Sequence, residues 1–133
     1  MIIADTNLIV YLLVRGQETA QAEATYQKDP TWGAPRLWRS EFRNVLVLYL
    51  RRKLLGMPEA LETMERAEQL MGGQEFEVDS SRVLQLAGAS GCSAYDCEFV
   101  ALAQDLGVPL VTSHRELIAK FKPTVVSMAA FCS

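Results

Sequence analysis

Met1-Ile2-Ile3-Ala4-Asp5-Thr6-Asn7-Leu8 is the stretch on which the fold turns. The apolar run from Ile2 to Ala4 is short and ends at the polar turn Asp5-Thr6-Asn7, after which Leu8–Val14 is too long and too Leu-rich to continue the same strand. A strand followed by a helix is expected, with Asp5 directly after the strand. The alternation then repeats outward along the chain. A helix is expected over Glu18–Lys28, ending before Asp29-Pro30 because a residue preceding proline disfavours the helical region. A strand around Thr31–Ala34 leads into a long helix from Pro35 to about Leu55, stopped by Gly56 and Pro58. Further helices are expected at Glu59–Met71, at Arg82–Ala89 with Asp79-Ser80 as its cap, and at Ser93–Leu106. Strands are expected at Phe76–Val78, Val108–Val111 and Thr124–Val126, and Ser113-His114-Arg115-Glu116 has capping-box spacing for a helix to about Phe121.

Short apolar strands alternating with helices, without hairpin signals between them, predict parallel crossovers. The expected architecture is α/β, a three-layer sandwich with helices on both faces of a central, mainly parallel sheet, in one domain over residues 1–133. Half the residues are apolar and 22% are charged, an ordinary globular balance that argues against a disordered or collagen-like class. The longest apolar runs fall far short of the roughly 20 residues needed to span a bilayer, and no basic segment opens the chain, so a cytoplasmic protein is expected. Cys92, Cys97 and Cys132 are odd in number and lack metal-ligand spacing; they read as small buried hydrophobes.

A net charge of −3 exerts no global pull on nucleic acid, so local clusters would have to supply it. Three are visible: Arg36, Arg39 and Arg43; Arg51-Arg52-Lys53; and Arg115, Lys120 and Lys122. Each taken alone reads better as a solvated helix face.

In open α/β sheets ligands bind beyond the carboxyl ends of the strands, which singles out Asp5. Asp5 can also serve simply as a helix N-cap. Glu41 lies in line with Val45 and Leu48, and Asp96 in line with Phe99, Val100 and Ala103, both on stripes expected to face the core. Asp96 can alternatively tie off a helix start through the spacing Ser93-Ala94-Tyr95-Asp96. Glu98 and Asp105 fall on roughly the opposite side of that helix and read as solvated. Burying an ionised carboxylate costs several kcal/mol unless it is paired, and several acids without a matching Lys or Arg are best neutralised by a hard divalent cation such as Mg²⁺ or Mn²⁺.

Four segments in this order resemble a known family: Asp5-Thr6-Asn7 after the first strand, Trp38-Arg39-Ser40-Glu41-Phe42, Ser93 to Ala103, and Leu110-Val111-Thr112. Together they resemble PIN domains, in particular the VapC-type toxins of bacterial toxin–antitoxin pairs, over the whole chain. The resemblance implies a Mg²⁺- or Mn²⁺-dependent endoribonuclease in which Asp5, Glu41 and Asp96 hold the metal and a metal-activated water attacks the RNA phosphodiester. It implies that Asn7 and Thr112 orient those carboxylates, that the protein forms a homodimer, and that a cognate antitoxin binds it. Where the family places a further acid, this chain has His114, its one histidine. That residue is expected either at the exposed start of the helix capped by Ser113, or in the site, as a ligand that accepts Mn²⁺ more readily than Mg²⁺ or as a cation contacting phosphate.

Three other readings compete. A module that keeps the fold but only binds RNA or an antitoxin would follow from the missing acid. A phosphotransferase of the haloacid dehalogenase type would need a second Asp where Asn7 stands, and a receiver domain would need paired acids at the first strand and a Lys near the last; neither is present.

Overall fold

The structure is a computed structural model that describes residues 1–133. Thirteen elements follow in order: β1 (Ile2–Ala4), α1 (Thr6–Leu13), α2 (Thr19–Lys28), β2 (Trp32–Pro35), α3 (Leu37–Arg51), α4 (Met57–Met71), β3 (Glu75–Phe76), α5 (Ser80–Ser90), α6 (Ala94–Leu106), β4 (Leu110–Val111), α7 (Arg115–Lys120), β5 (Val125–Val126) and α8 (Met128–Cys132). All five strands are parallel, in the order β3-β2-β1-β4-β5. The expected mainly parallel sheet is thus wholly parallel. Every residue of β1 and β2 is buried, so both sheet faces are covered. Helix α6, backed by α5, packs on β1, β2 and β4, while α1, α3 and α4 pack on one another and on β1 and β2.

The order of strands fixes where a site can form. The chain leaves β1 toward β2 and β3 on one side, then returns to add β4 and β5 on the other. The switch lies between β1 and β4, whose register pairs Ile3 with Leu110 and Ala4 with Val111. One step further along both strands come Asp5 and Thr112. A crevice at the carboxyl ends of β1 and β4 is the natural binding place of such a sheet.

Several boundaries differ from expectation. Pro35 closes β2 rather than opening α3, and α3 stops at Arg51, where Lys53 adopts a left-handed backbone (φ 58°). Pro58, expected to stop a helix, sits in the first turn of α4, a position where its missing N–H costs nothing. The core stripe of α3 is Trp38, Phe42 and Leu46, not the line through Val45 and Leu48; Leu48 remains 41% exposed. The expected strand at Phe76–Val78 lies one residue earlier, at Glu75–Phe76. The last helix, α8, was not expected at all. It is one turn capped by Ser127 and held against α2, with Lys28 Nζ 4.7 Å from the Phe131 ring centre.

Arg39 ties three elements together. Its Nε donates to Glu75 Oε2 at 2.6 Å and its Nη2 to Glu75 Oε1 at 2.9 Å, while Nη1 reaches Glu68 on α4. Trp38 Nε1 also donates to Glu75 Oε2, at 2.8 Å. One residue of the first basic cluster is therefore committed to joining α3, α4 and β3. The Arg39 hydrogen bonds hold the Glu75 carboxyl below its ordinary range. A depressed carboxyl contributes stability above its unfolded-state range and loses it as pH falls through the folded-state range. Arg39→Ala should lower unfolding free energy by roughly 1–2 kcal/mol in urea at neutral pH, part of the pair's strength being screened by solvent. The deficit should shrink in acid as Glu75 protonates; an equal deficit at all pH values would exclude the ion pair as its source.

Candidate active site

Asp5 begins where β1 ends, and its backbone N–H still bonds to Val111 O at 3.2 Å, as a strand residue would. Its side chain is used twice. Oδ1 caps α1 by accepting from Thr6 N at 2.8 Å, and Oδ2 accepts from Thr112 Oγ1 at 2.6 Å across the switch point. The capping role and a place in the crevice therefore coexist. Thr112 is fully buried, and its Oγ1 also accepts from the N–H of His114 at 3.0 Å.

Glu41 comes from the second turn of α3 and reaches the same crevice through a residue that the sequence reading left without a role. Thr6 Oγ1, buried in the first turn of α1, donates to Glu41 Oε1 at 2.6 Å. The only sequence signal for this is a polar residue directly after Asp5, which looks the same whether it faces solvent or a carboxylate 35 positions away. Asp96 stands in the first turn of α6, its backbone N–H capped by Ser93 Oγ at 3.0 Å. The reciprocal bond of a capping box is not made: the Asp96 carboxylate accepts no protein hydrogen bond and meets only His114 Nε2, 3.6 Å from Oδ2. Phe99, Val100 and Ala103 on its face are all buried, as expected.

His114 is not the first residue of a helix capped by Ser113. It is itself the N-cap of α7, with Nδ1 accepting from Leu117 N at 3.3 Å, while Ser113 Oγ lies 3.2 Å from Tyr11 Oη. Asn7 is exposed on α1 and its side chain makes no hydrogen bond to the acids. Glu98, expected to be solvated, is half-buried because α5 packs along that flank of α6; it lines a groove of about 260 Å³ with Val78, Ser80, Val83 and Leu84. Asp105 is exposed, as expected.

The electrostatics of these acids share one direction. Burial pushes the Asp5 carboxyl above its ordinary range, against the pull of the Thr112 and Thr6 hydrogen bonds; the Asp96 charge adds to the rise and His114 opposes it. Burial likewise raises Glu41, the Thr6 bond opposes it, and Asp5, Asp96 and Glu98 push it further up. Neither Asp5 nor Glu41 has a Lys, Arg or His ion-pair partner. The donors are hard oxygens, which fits a small divalent cation in kind. As the side chains stand, no three of the His, Cys, Asp and Glu residues converge closely enough to enclose one ion. Glu41 Oε2 and both Asp96 oxygens accept no hydrogen bond from the protein, and so remain free to ligate.

A carboxyl raised in the fold penalises the folded state above its folded-state range, and the penalty fades as pH falls toward the unfolded-state range. Glu41→Gln keeps an oxygen for Thr6 and removes the charge. In metal-free protein it should raise the melting temperature at neutral pH, with the gain vanishing in the ordinary carboxylate range. A lower melting temperature at neutral pH would show that the Glu41 charge is already balanced.

Comparison with known proteins places the fold in a known family. A family model described as PIN domain matches residues 2–121. The chain is 30% identical over 129 residues to Ribonuclease VapC3 of Pyrobaculum aerophilum, covering 93% of this chain and 97% of that protein. PAE2754 from Pyrobaculum aerophilum has the same fold, with a TM-score of 0.78 at 20% identity, covering 98% of this chain and 85% of the other. FitAcB from Neisseria gonorrhoeae superposes with a TM-score of 0.72 at 20% identity, covering 97% of this chain and 99% of the other. The chain belongs to the PIN domain family, among its VapC-type members.

Proposed function

We propose that this protein is a metal-dependent endoribonuclease that acts in the cytoplasm as the toxin of a toxin–antitoxin pair. The observation that carries the proposal is the set of uncompensated acids at the switch point. Asp5 and Glu41 are raised by burial and by their neighbours' charge, and no Lys or Arg of the protein pairs with them. A stable fold does not need such a group, so a ligand of opposite charge is the economical reason for it. The relative named Ribonuclease VapC3 supports RNA as the substrate.

Asp5, Glu41 and Asp96 would hold Mg²⁺ or Mn²⁺. When bound, such an ion supplies an acidic water at neutral pH and positive charge for the oxygens of the phosphodiester under attack. Thr112 aims Oδ2 of Asp5, and Thr6 aims Oε1 of Glu41, each with a 2.6 Å hydrogen bond. Arg43 and Arg115 are exposed and make no ion pair, which leaves them available to backbone phosphates. Arg36, Arg39 and Lys120 are less available, being paired with Glu77, with Glu75 and Glu68, and with Glu116. Asn7, exposed in the first turn of α1, is open to substrate.

For a protein partner, α1, α3 and the start of α4 frame a groove of about 480 Å³ lined by Val10, Leu13, Val14, Tyr49, Leu54 and Leu55. Leu54 in its lining is 64% exposed, and Leu61 and Met57 of α4 are 64% and 56% exposed, large apolar side chains left to solvent. The proposed antitoxin would cover this surface, and the proposed homodimer would use another. No helix of the chain is long and apolar enough to cross a membrane.

Purified protein with Mn²⁺ or Mg²⁺ should cleave structured RNA. Chelation by EDTA should abolish cleavage, and Asp5→Asn should reduce it by about 100-fold or more while the protein stays folded. The binding-only reading draws its support from His114 standing where a further acid is usual. RNA retained on the protein without cleavage under either metal would establish that reading and sink this one.

A further inference from the structure

We infer that His114 is a positioning residue for two of the acids and not a metal ligand, an inference that rests on the proposed metal site. Its ring and its backbone act in opposite directions across the crevice. The backbone N–H donates to Thr112 Oγ1 at 3.0 Å, and Thr112 in turn donates to Asp5 Oδ2 at 2.6 Å. The ring spends the lone pair of Nδ1 on the N-cap of α7, accepting from Leu117 N at 3.3 Å. A neutral imidazole has one proton and one lone pair; with the lone pair fixed at Nδ1, the proton must sit on Nε2. Nε2 faces Asp96 Oδ2 at 3.6 Å, beyond hydrogen-bond length, and that carboxylate accepts from no protein donor.

A nitrogen that bears its proton has no lone pair for a metal. Direct ligation through Nε2 would require breaking the α7 cap or forming an imidazolate. Replacing the family's further acid by His114 therefore exchanges a negative ligand for an N–H that faces Asp96 Oδ2 from 3.6 Å and leaves both carboxylate oxygens free. This one residue lies between Asp5 and Asp96, bonded toward the first through Thr112 and facing the second. The arrangement resembles the hydrogen-bonded supports that surround metal-binding carboxylates generally.

Because the chain has a single histidine, nitrogen-15 labelling of histidine gives one imidazole signal pair. In metal-free protein with a neutral ring, the proton should be found on Nε2; a proton on Nδ1 overturns the inference. His114→Asn retains a good helix cap but cannot reach Asp96, so it should melt like the parent yet bind Mn²⁺ about 10-fold more weakly by calorimetry. Unchanged affinity would reduce His114 to a cap and overturn the positioning role. In pulsed electron paramagnetic resonance, Mn²⁺ on the parent protein should show no directly bound imidazole nitrogen, and detecting one overturns the inference. Failure of the parent protein to take up Mn²⁺ would instead overturn the metal site itself, and the metal-free ring assignment would still judge the geometry separately.

Discussion

The parallel pairing of β1 with β2 on one edge and with β4 on the other is the constraint on which the site depends. A strand of three residues that is hydrogen-bonded on both sides and buried on both faces has no freedom in register. Its carboxyl end therefore delivers Asp5 to a fixed point beside Thr112. The bond from Thr112 Oγ1 to Asp5 Oδ2 closes the strand-end gap with one short contact, and the same Asp5 starts α1 through Oδ1. Strand end, helix start and acid are a single residue. A shift of one position in β1 would lose all three together.

Around that point the protein collects negative charge and gives little back. Hydroxyl donors from Thr6 and Thr112 soften the burial of Glu41 and Asp5 without neutralising either, and Asp96 and Glu98 add repulsion. Elsewhere the chain pairs its charges when it partly buries them. Glu75 receives Arg39 and Trp38, and Asp29 receives the terminal amine at 2.6 Å. The contrast between a balanced network under α3 and an unbalanced one at the switch point separates structural acids from the candidate site. Sequence distance cannot separate them, since Glu75 and Glu41 are equally far from any obvious partner.

The peripheral elements show how packing decides what local pattern leaves open. Pro58 reads as a helix breaker from one side and as a helix starter from the other, and the tight turn through Lys53 selects the second. Glu98 reads as a solvent-facing residue of α6 until α5 is laid against that flank. Helix α8 has no amphipathic length of its own; it exists because α2 offers it Thr25, Lys28 and an apolar side.

What the sequence determined by itself was the alternation of strands and helices and the parallel α/β class; it also singled out Asp5, Glu41 and Asp96 as candidates, Glu41 through a Val45–Leu48 stripe that does not face the core. These follow from local chemistry: β-branched runs, caps and breakers, and the cost of a charge on an apolar stripe. The tertiary structure decided the rest. It made Thr6 a partner of Glu41, committed Arg39 to Glu75, brought Glu98 near the acids, and turned His114 from the start of a helix into its cap, facing Asp96. Apart from the His114 cap, which is local, these bring together residues 18 to 57 positions apart, and no periodicity or propensity carries information over that range. Only the sheet order, which folds the ends of β1 and β4 together, determines who meets whom.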